Sequence, residues 1–139
     1  MRASGILMPV FSLPSSYGIG TFGKSAFEFV DFLKESGQTY WQILPLNPTS
    51  FGDSPYQSFS SFAGNPYFVD LDLLTDDGLI NSAEIEACDF GDNSSKIDYE
   101  KLYLNRFPLL RKAFARFVPD NNYYAFIKRI HQSSDNFPL

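Results

Sequence analysis

Residues 5–46 read GILMPVFSLPSSYGIGTFGKSAFEFVDFLKESGQTYWQILPL. The apolar runs from Gly5 to Phe11 and from Tyr40 to Leu46 each predict a strand, the first of them buried. The segment from Lys24 to Glu35 predicts a helix, because its apolar residues recur at helical spacing. Its stripe consists of Ala26, Phe29, Val30 and Leu33, widened by Phe27 and Phe32. Two strands joined by one helix predict a right-handed βαβ unit with parallel strands.

Both ends of this predicted helix carry local signals. Ser25 and Glu28 have the spacing of a capping box, in which side chains bond the free backbone N–H groups of the first turn. Gly37 follows the last turn and favours the left-handed conformation that ends many helices. These signals predict the same helix as the apolar stripe.

A long loop, residues 47–66, follows the second strand. It combines prolines, glycines, asparagines and serines with the aromatic residues Phe51, Tyr56, Phe59 and Phe62. Parallel strands open at their carboxyl ends into a shared crevice, so the loops at that edge form ligand sites. A loop of this length is usually functional or disordered, and the regularly spaced aromatic residues favour order. We therefore expect residues 47–66 to bind a ligand.

The pattern after Tyr67 is helical. A short helix is predicted from Leu71 to Asp77. A longer one runs from Asp98 to Phe117, where Pro108 should kink it or split it in two. Two further helix starts are expected at Asn81, where Glu84 completes a capping-box spacing, and at Asp120 or Asn121.

Composition and charge limit the class of protein. The chain is 44% hydrophobic and carries a formal net charge of −5, as an ordinary globular domain does. Nucleic acid is not expected as a partner, because phosphate contacts need clustered Lys and Arg. Basic residues do gather late in the chain, but their helical spacing predicts a solvated helix face. They are Arg106, Arg111, Lys112, Arg116, Lys128 and Arg129.

Cys88 is the only cysteine and His131 the only histidine. A disulfide within the chain and a thiolate metal site are therefore both impossible, and we expect Cys88 to be structural. The apolar run from Ile6 to Phe11 is too short for a secretory signal, and no stretch approaches the length of a membrane span. We predict a cytoplasmic protein with no membrane partner.

Gly18, Gly20 and Gly23 have the spacing of the G-x-G-x-x-G fingerprint of dinucleotide binding. That fingerprint also requires an acidic residue about twenty positions further on, after a second strand, and the corresponding region here is apolar. A dinucleotide site is the weaker interpretation. The glycines are expected to permit tight backbone turns instead.

Several segments resemble the N-terminal region of the members of one enzyme family. They are SSYGIG at 15–20, YWQILPLNPT at 40–49 and, above all, GDSPYQSFSSFAGNPY at 52–67. The chain resembles the amylomaltases, the 4-α-glucanotransferases of glycoside hydrolase family 77. Similar later segments, DYEK at 98–101 and PLLRKAF at 108–114, extend the resemblance over about residues 4 to 130.

The resemblance implies a fold and an activity. The fold is α/β, the N-terminal part of a (β/α)₈ TIM barrel with about two strands, plus an inserted helical subdomain. Residues 1–70 would form the first β/α units, with a sugar-binding loop at 47–66, and residues 71–139 the helical insertion. The activity is transfer of α-1,4-glucan segments between maltooligosaccharides, without a metal or organic cofactor.

The resemblance also assigns substrate-binding residues. Ser54 would bond a sugar hydroxyl, and Tyr56 would stack on or bond to a glucose ring of the donor. Asp53 would either accept sugar hydroxyls or hold the loop by local bonds, and we favour the second role. Phe51 stands where some relatives carry a Tyr that binds glucan away from the cleavage site, and it lacks that hydroxyl. Thr21 stands where many relatives have Asp, which we expect to alter only a turn.

The catalytic carboxylates of the family do not map onto this chain. Retaining enzymes of this kind use two carboxyl groups about 5–5.5 Å apart, and the resemblance places them on later barrel strands. We therefore expect no catalytic residue here and a fragment that is inactive and marginally stable alone, because two strands cannot close a barrel. The alternative is a stand-alone, non-catalytic α-glucan-binding module. An α-amylase-like hydrolase is a weaker alternative.

Overall fold

A computed structural model of the chain describes residues 2–50, 52–93 and 95–134. Two short strands and five α-helices follow one another along it, with 3₁₀ turns at Val10–Ser12 and Pro66–Phe68. The elements are β1 (Gly5–Leu7), α1 (Lys24–Glu35), β2 (Tyr40–Gln42), α2 (Leu71–Asp76), α3 (Ser82–Glu86), α4 (Tyr99–Arg116) and α5 (Asn121–Ser134). In the described residues, no helix combines the length and apolar composition that crossing a membrane would need.

The predicted βαβ unit is confirmed. Strands β1 and β2 are parallel, with Ile6 opposite Trp41. Helix α1 has the predicted bounds, and Gly37 ends it with a φ of +72°. The Gln38 N–H then bonds the Leu33 carbonyl at 2.9 Å, which satisfies a free carbonyl of the last turn. The capping box predicted from Ser25 and Glu28 is wrong, because the helix begins after Gly23 without a side-chain cap.

The strands are shorter and less buried than predicted. Each regular strand spans three residues, and the chain leaves β1 for a 3₁₀ turn at Val10–Ser12. Trp41 lies under α1, where its ring meets Phe29 edge-on at 5.1 Å and its Nε1–H bonds the Met8 carbonyl at 2.7 Å. Leu7, on the opposite face of the sheet, is exposed, so the prediction of a buried first strand is wrong.

The buried residues of the main core lie outside the two strands, although Trp41 of β2 packs against them. The core forms where the segment after β1 packs against the 3₁₀ turn Pro66–Phe68 and helices α2 to α4. Leu71 and Leu102 are both 0% exposed at its centre, and burying each side chain contributes roughly 1.5–3 kcal/mol. The other buried members are Val10, Leu13, Ile19, Ala26, Tyr67, Phe68, Ile80, Ile85, Phe90, Leu109 and Ala113. One core therefore includes residues from both sides of position 70, and the boundary proposed there stays a prediction.

Polar caps begin the helices of the second half. The Asp70 carboxylate accepts the Leu73 N–H at the start of α2, and Asp98 does the same for Lys101 in α4. Asn81 and Glu84 form the predicted capping box of α3 in full. Asp120 caps α5 by accepting the Tyr123 N–H at 2.8 Å. Helix α4 is continuous through Pro108, which excludes the split, while the kink predicted as the other outcome stays a prediction.

Arg106 corrects the prediction of a solvated basic face. It lies on the inner side of α4 and is 0% exposed, whereas Lys112 and Arg116 reach the Glu84 carboxylate at the surface. Its Nη2 donates to the Val69 carbonyl, while Nε and Nη1 have no partner among the described residues. Burial lowers the pKa of the Arg106 guanidinium to about 10. The period of the helix placed this residue next to Leu102 and Leu109 on the buried stripe.

The three glycines of the fingerprint meet the chain's own atoms. A Cβ built on Gly18 would lie 2.3 Å from the Phe90 carbonyl oxygen, and one on Gly20 would lie 2.1 Å from that of Val10. A Cβ on Gly23 would lie 1.9 Å from an Asp70 carboxylate oxygen. The spacing therefore serves close packing within the chain, and of the three glycines only Gly18, with a φ of +76°, adopts the left-handed conformation typical of a tight turn.

Thr21 does more than shape a turn. Its side chain is buried, and its hydroxyl donates to Asp70. Because Asp70 also caps α2, this hydrogen bond joins the segment before α1 to the start of the helical half. The expectation that Thr21 alters only a turn is wrong.

Candidate functional site

The loop of residues 47–66 is closed on itself by backbone hydrogen bonds. Thr49 and Ser58 form an antiparallel bridge, and the Ser50 N–H bonds the Gln57 carbonyl at 2.9 Å. At the base of the loop, the Asn65 N–H bonds the Leu46 carbonyl at 2.8 Å. These contacts hold the tip of the loop, residues 52–57, as a small ordered unit at the end of β2.

Asp53 is held inside this unit. Its φ of +52° is the only positive value among the described non-glycine residues, and aspartate tolerates that conformation better than most side chains do. Its Oδ1 accepts the Thr49 hydroxyl at 3.2 Å, and its N–H bonds the Ser50 carbonyl at 3.1 Å. Both contacts are local, as expected for a residue that holds the loop.

The Asp53 charge also faces the protein. Burial first, and then the Asp53 carboxylate, raise the pKa of the Tyr67 phenol to about 12. The same two causes raise the pKa of Tyr99, at the start of α4. The rings of Tyr67 and Tyr99 contact each other edge-on at 5.8 Å. Asp53 therefore lies on the side of the loop that faces α4.

Ser54 and Tyr56 lie side by side at the tip. The Ser54 Oγ accepts the Tyr56 N–H through a long bond of 3.4 Å, and the Ser54 carbonyl accepts the Gln57 N–H at 3.1 Å. No acceptor for the Ser54 hydroxyl proton is found among the described residues, so this proton is free to donate elsewhere. Ser54 is half-buried, which leaves it accessible from the tip.

Tyr56 is 73% exposed. Phe59 and Phe62, further along the loop, are exposed as well. The spacing of these two rings in the sequence predicted an ordered loop, but neither ring was predicted to contact a ligand. Phe51, the remaining predicted site residue, lies outside the described residues.

Two clefts in the described part of the chain lie away from the tip. One open cleft of about 920 Å³ separates residues 11–20 from residues 91–99. A smaller one of about 420 Å³ contains Tyr17, Asp70 and Asp72. Neither is lined by Ser54 or Tyr56. The tip is therefore separate from both of these clefts.

The acidic residues near the loop have structural partners. Asp70 caps α2 and accepts the Thr21 hydroxyl, and Asp72 accepts the Tyr17 hydroxyl. That hydrogen bond raises the pKa of Tyr17 to about 12. In the part of the chain that the structure describes, no three His, Cys, Asp or Glu side chains are grouped to hold a metal ion.

Cys88 is a half-buried side chain on the helical half. Its Sγ lies 3.3 Å from the Glu84 carbonyl oxygen, to which the thiol donates. Burial raises the pKa of the thiol, which disfavours the reactive thiolate. This environment fits the predicted structural role.

Sequence comparisons relate the chain to one group of enzymes. A profile of the family described as 4-alpha-glucanotransferase matches residues 8–138. The chain is 59% identical over 116 residues to the 4-alpha-glucanotransferase of Streptococcus pneumoniae serotype 4 strain TIGR4, covering 84% of this chain and 23% of that protein. It is 50% identical over 134 residues to the 4-alpha-glucanotransferase of Clostridium butyricum, covering 95% and 28%.

A solved structure is similar over nearly the whole chain. The amylomaltase from Streptococcus agalactiae, determined in complex with acarbose, superposes with a TM-score of 0.86 at 47% identity. The match covers 97% of this chain and 27% of that one. The parallel strand pair and its helices therefore correspond to part of an α/β barrel. The chain spans about a quarter of the length of these relatives.

Proposed function

We infer a function from one premise: this chain belongs to the 4-alpha-glucanotransferase family. We propose that the loop of residues 47–66 forms part of the donor-sugar site of such an enzyme. The observation that carries the proposal is the ordered tip, which offers an open aromatic ring beside a hydroxyl with a free proton. The acarbose complex of the amylomaltase supports an oligosaccharide as the ligand.

The tip matches the chemistry of an α-1,4-glucan. A pyranose has an apolar C–H face, and a planar ring such as that of Tyr56 can pack against it while its hydroxyl bonds a neighbouring sugar oxygen. Ser54 can donate its free proton to a sugar hydroxyl. Because backbone bonds already order the tip, little entropy is lost on binding.

Asp53 acts on the sugar indirectly in this proposal. Its carboxylate accepts the Thr49 hydroxyl and faces Tyr67 and Tyr99, so it has contacts within the protein that a direct sugar acceptor would not need. Asp53 would keep the left-handed turn that presents Ser54 and Tyr56. Phe51 stays a proposed sugar contact without structural support.

The chemistry of the whole enzyme would come from elsewhere. A retaining transfer needs a nucleophilic carboxylate and an acid/base carboxyl about 5–5.5 Å apart. A glycosyl-enzyme would form first, and an acceptor glucose or maltooligosaccharide would then take the glucan in place of water. The described carboxylates near the loop are used as caps or hydrogen-bond acceptors. We therefore propose that the 139-residue chain is inactive alone.

The proposal is tested by titrating the chain with maltoheptaose and following backbone amides by NMR. Shifts should concentrate at residues 52–58. Tyr56→Ala should weaken binding about 3- to 10-fold, since an aromatic contact contributes roughly 0.5–1.5 kcal/mol. Tyr124→Ala on α5 is the matched control, because Tyr124 is also exposed but lies on another element. Equal losses of affinity in the two variants would show that the tip is not part of the sugar site.

Asp53 variants separate the two roles open to this carboxylate. Asp53→Asn keeps an acceptor and tolerates a positive φ, so it should bind maltoheptaose almost as wild type does. Asp53→Ala loses the acceptor and strains the turn, so it should bind more weakly. If Asp53→Asn binds as weakly as Asp53→Ala, the charge contacts the sugar directly and the loop-holding role is wrong.

A stand-alone glucan-binding module is the second candidate, favoured by the single core that residues from both halves of the chain share. It predicts a monomer that melts cooperatively and binds maltoheptaose as tightly as a complete binding site would. The enzyme-part proposal predicts weak binding and a broad, low-temperature melt, because one face of the sheet lacks cover. Calorimetry and the same titration distinguish them.

A further inference from the structure

Arg106 is a charged side chain at a position where the core is otherwise apolar. It is 0% exposed and shares the inner stripe of α4 with Leu102 and Leu109. In the described residues Arg106 forms no ion pair, and its Nε and Nη1 atoms have no hydrogen-bond partner. A buried charge without a close partner opposes folding, and so do buried donors without acceptors. Arg106 therefore lowers the stability of the core in which it lies.

The electrostatics of Arg106 agree with this conclusion. Burial, which outweighs the opposing effect of the Asp70 carboxylate, lowers the pKa of the guanidinium to about 10. The group stays protonated at neutral pH, but its charge is less stable in the folded chain than in water. Replacing buried charges by apolar side chains of similar volume is often neutral or stabilising. Core stability therefore does not explain why the chain has arginine here.

The one hydrogen bond of Arg106 suggests another use. Its Nη2 donates to the Val69 carbonyl, directly after the 3₁₀ turn Pro66–Phe68. This turn is where the sugar-binding loop ends and the chain enters the helical half. The ring of Tyr67, within the turn, meets the ring of Phe107 edge-on at 5.3 Å. Arg106 and Phe107, neighbours on α4, thus hold this part of the chain, one by a backbone carbonyl and the other by a ring.

The turn is also linked to the tip of the loop. Burial first, and then the Asp53 carboxylate, raise the pKa of the Tyr67 phenol, so Asp53 and Tyr67 lie near each other. Asp53 has the left-handed conformation that precedes Ser54. A shift of the turn along α4 would therefore change the surroundings of Asp53 and displace the tip.

We propose that Arg106 is a positioning residue, whose guanidinium fixes the turn against α4 and thereby sets the place of Ser54 and Tyr56. An apolar side chain could fill the same space but could not bond the Val69 carbonyl. That bond needs a donor at the end of a long side chain, which arginine and lysine provide. The expected effect on sugar binding rests on the proposed function of the tip, whereas the effect on the loop does not.

Three variants of the 139-residue chain separate positioning from packing. Arg106→Met keeps a long side chain and removes the charge and the donors. Arg106→Lys keeps N–H donors, whether its amine is charged or neutral. Leu109→Ala is the matched control, since Leu109 is 2% exposed on the same stripe of α4 and has an apolar side chain. Each variant is measured by urea denaturation, by backbone amide shifts without sugar and by titration with maltoheptaose.

Arg106→Met should unfold at the urea concentration of the wild-type chain or a higher one, because an unpaired buried charge is removed. Its amides at residues 52–58 should nevertheless shift, and its affinity for maltoheptaose should fall about 5-fold, the effect of losing one ordinary hydrogen bond. Arg106→Lys should restore most of that affinity. Leu109→Ala should do the reverse of Arg106→Met: it should unfold at a lower urea concentration, with unchanged affinity and loop amides.

The inference is overturned if Arg106→Met fails to fold or unfolds as early as Leu109→Ala, because Arg106 would then serve the core. It is also overturned if Arg106→Lys behaves like Arg106→Met. If the wild-type chain binds maltoheptaose and Arg106→Met changes neither the affinity nor the loop amides, the inference is wrong and the proposed function stands. If the wild-type chain does not bind the sugar but Arg106→Met shifts the loop amides, the positioning role stands and the proposed function is wrong.

Discussion

Leu102 in α4 and Leu7 in β1 are both leucines of regular elements, yet one is fully buried and the other is more than half exposed. The contrast extends to their surroundings. All of the core residues except Ala26 lie in residues 10–23 and 66–116, the closed region, whereas β1, α1 and β2 form an open region with a bare sheet face. Strands and helices can thus form in full in a region where their apolar side chains are only partly covered.

The largest expected effect tests the closed region. Leu102→Ala should lower the free energy of unfolding by about 2–5 kcal/mol, because it removes buried methyl groups and leaves a cavity. Leu104→Ala, two positions along the same helix and exposed, should cost about 0.5 kcal/mol or less. Urea denaturation followed by circular dichroism measures both. Similar losses would mean that the closed region is not the core of the folded chain.

A second pair of variants tests the close packing of the glycines. In Gly20→Ala the new Cβ would meet the Val10 carbonyl at 2.1 Å, and backbone cannot move aside as a flexible side chain can. We expect a loss of about 1–3 kcal/mol. Gly64→Ala meets nothing within 4 Å and should change stability by no more than about 0.5 kcal/mol. A neutral Gly20→Ala would reopen a ligand role for the fingerprint.

A smaller effect concerns the acid stability of the closed region. Hydrogen bonds from Arg116 lower the pKa of Glu84 from 4.5 to about 2. A depressed carboxyl pKa adds stability that is fully present above pH 4.5 and is lost as pH falls through about 2. The wild-type chain should therefore be more stable than Glu84→Gln at neutral pH. This difference in the free energy of unfolding should disappear as the pH falls from 4.5 to about 2. A gap independent of pH would rule out the ion pairs as its cause.

The smallest effect belongs to the open region. Phe27→Gln removes a large apolar side chain that is already exposed, so the free energy of unfolding should change by about 0.5 kcal/mol or less. The same variant should lower binding of the surface dye anilinonaphthalene sulfonate, because the bare flank of α1 shrinks. A loss comparable to that of Leu102→Ala would show that Phe27 is buried in solution and that the open region is closed there.

Local patterns predicted much of this fold. The bounds of α1 followed from an apolar stripe and from Gly37, and the capping box of α3 followed from Asn81 and Glu84. These features depend on residues within one or two turns of each other. Ser25 and Glu28 of α1 have the same spacing as Asn81 and Glu84. However, α1 begins after Gly23, so Ser25 and Glu28 do not form a capping box. Spacing alone does not determine where a helix begins.

The candidate site was partly predictable for a related reason. The aromatic loop stands out in the sequence, and its resemblance to a family named Ser54 and Tyr56. The left-handed Asp53 and its bond to Thr49 depend on how the loop closes, which no short pattern encodes. Arg106 was misplaced because a charged residue on an amphipathic helix is normally solvated, and only the contacts of α4 put it inside.

By itself, the sequence determined the order of strand, helix and strand, the bounds of α1, the capping box of α3 and the likeness to a glucanotransferase. These properties arise from neighbours along the chain, whose interactions are the same in any fold that keeps the segment intact. Tertiary structure alone decided which apolar faces are covered, that Arg106 is buried, and that Thr21 joins Asp70. Burial depends on groups distant in sequence, so it is fixed only when those groups are brought together.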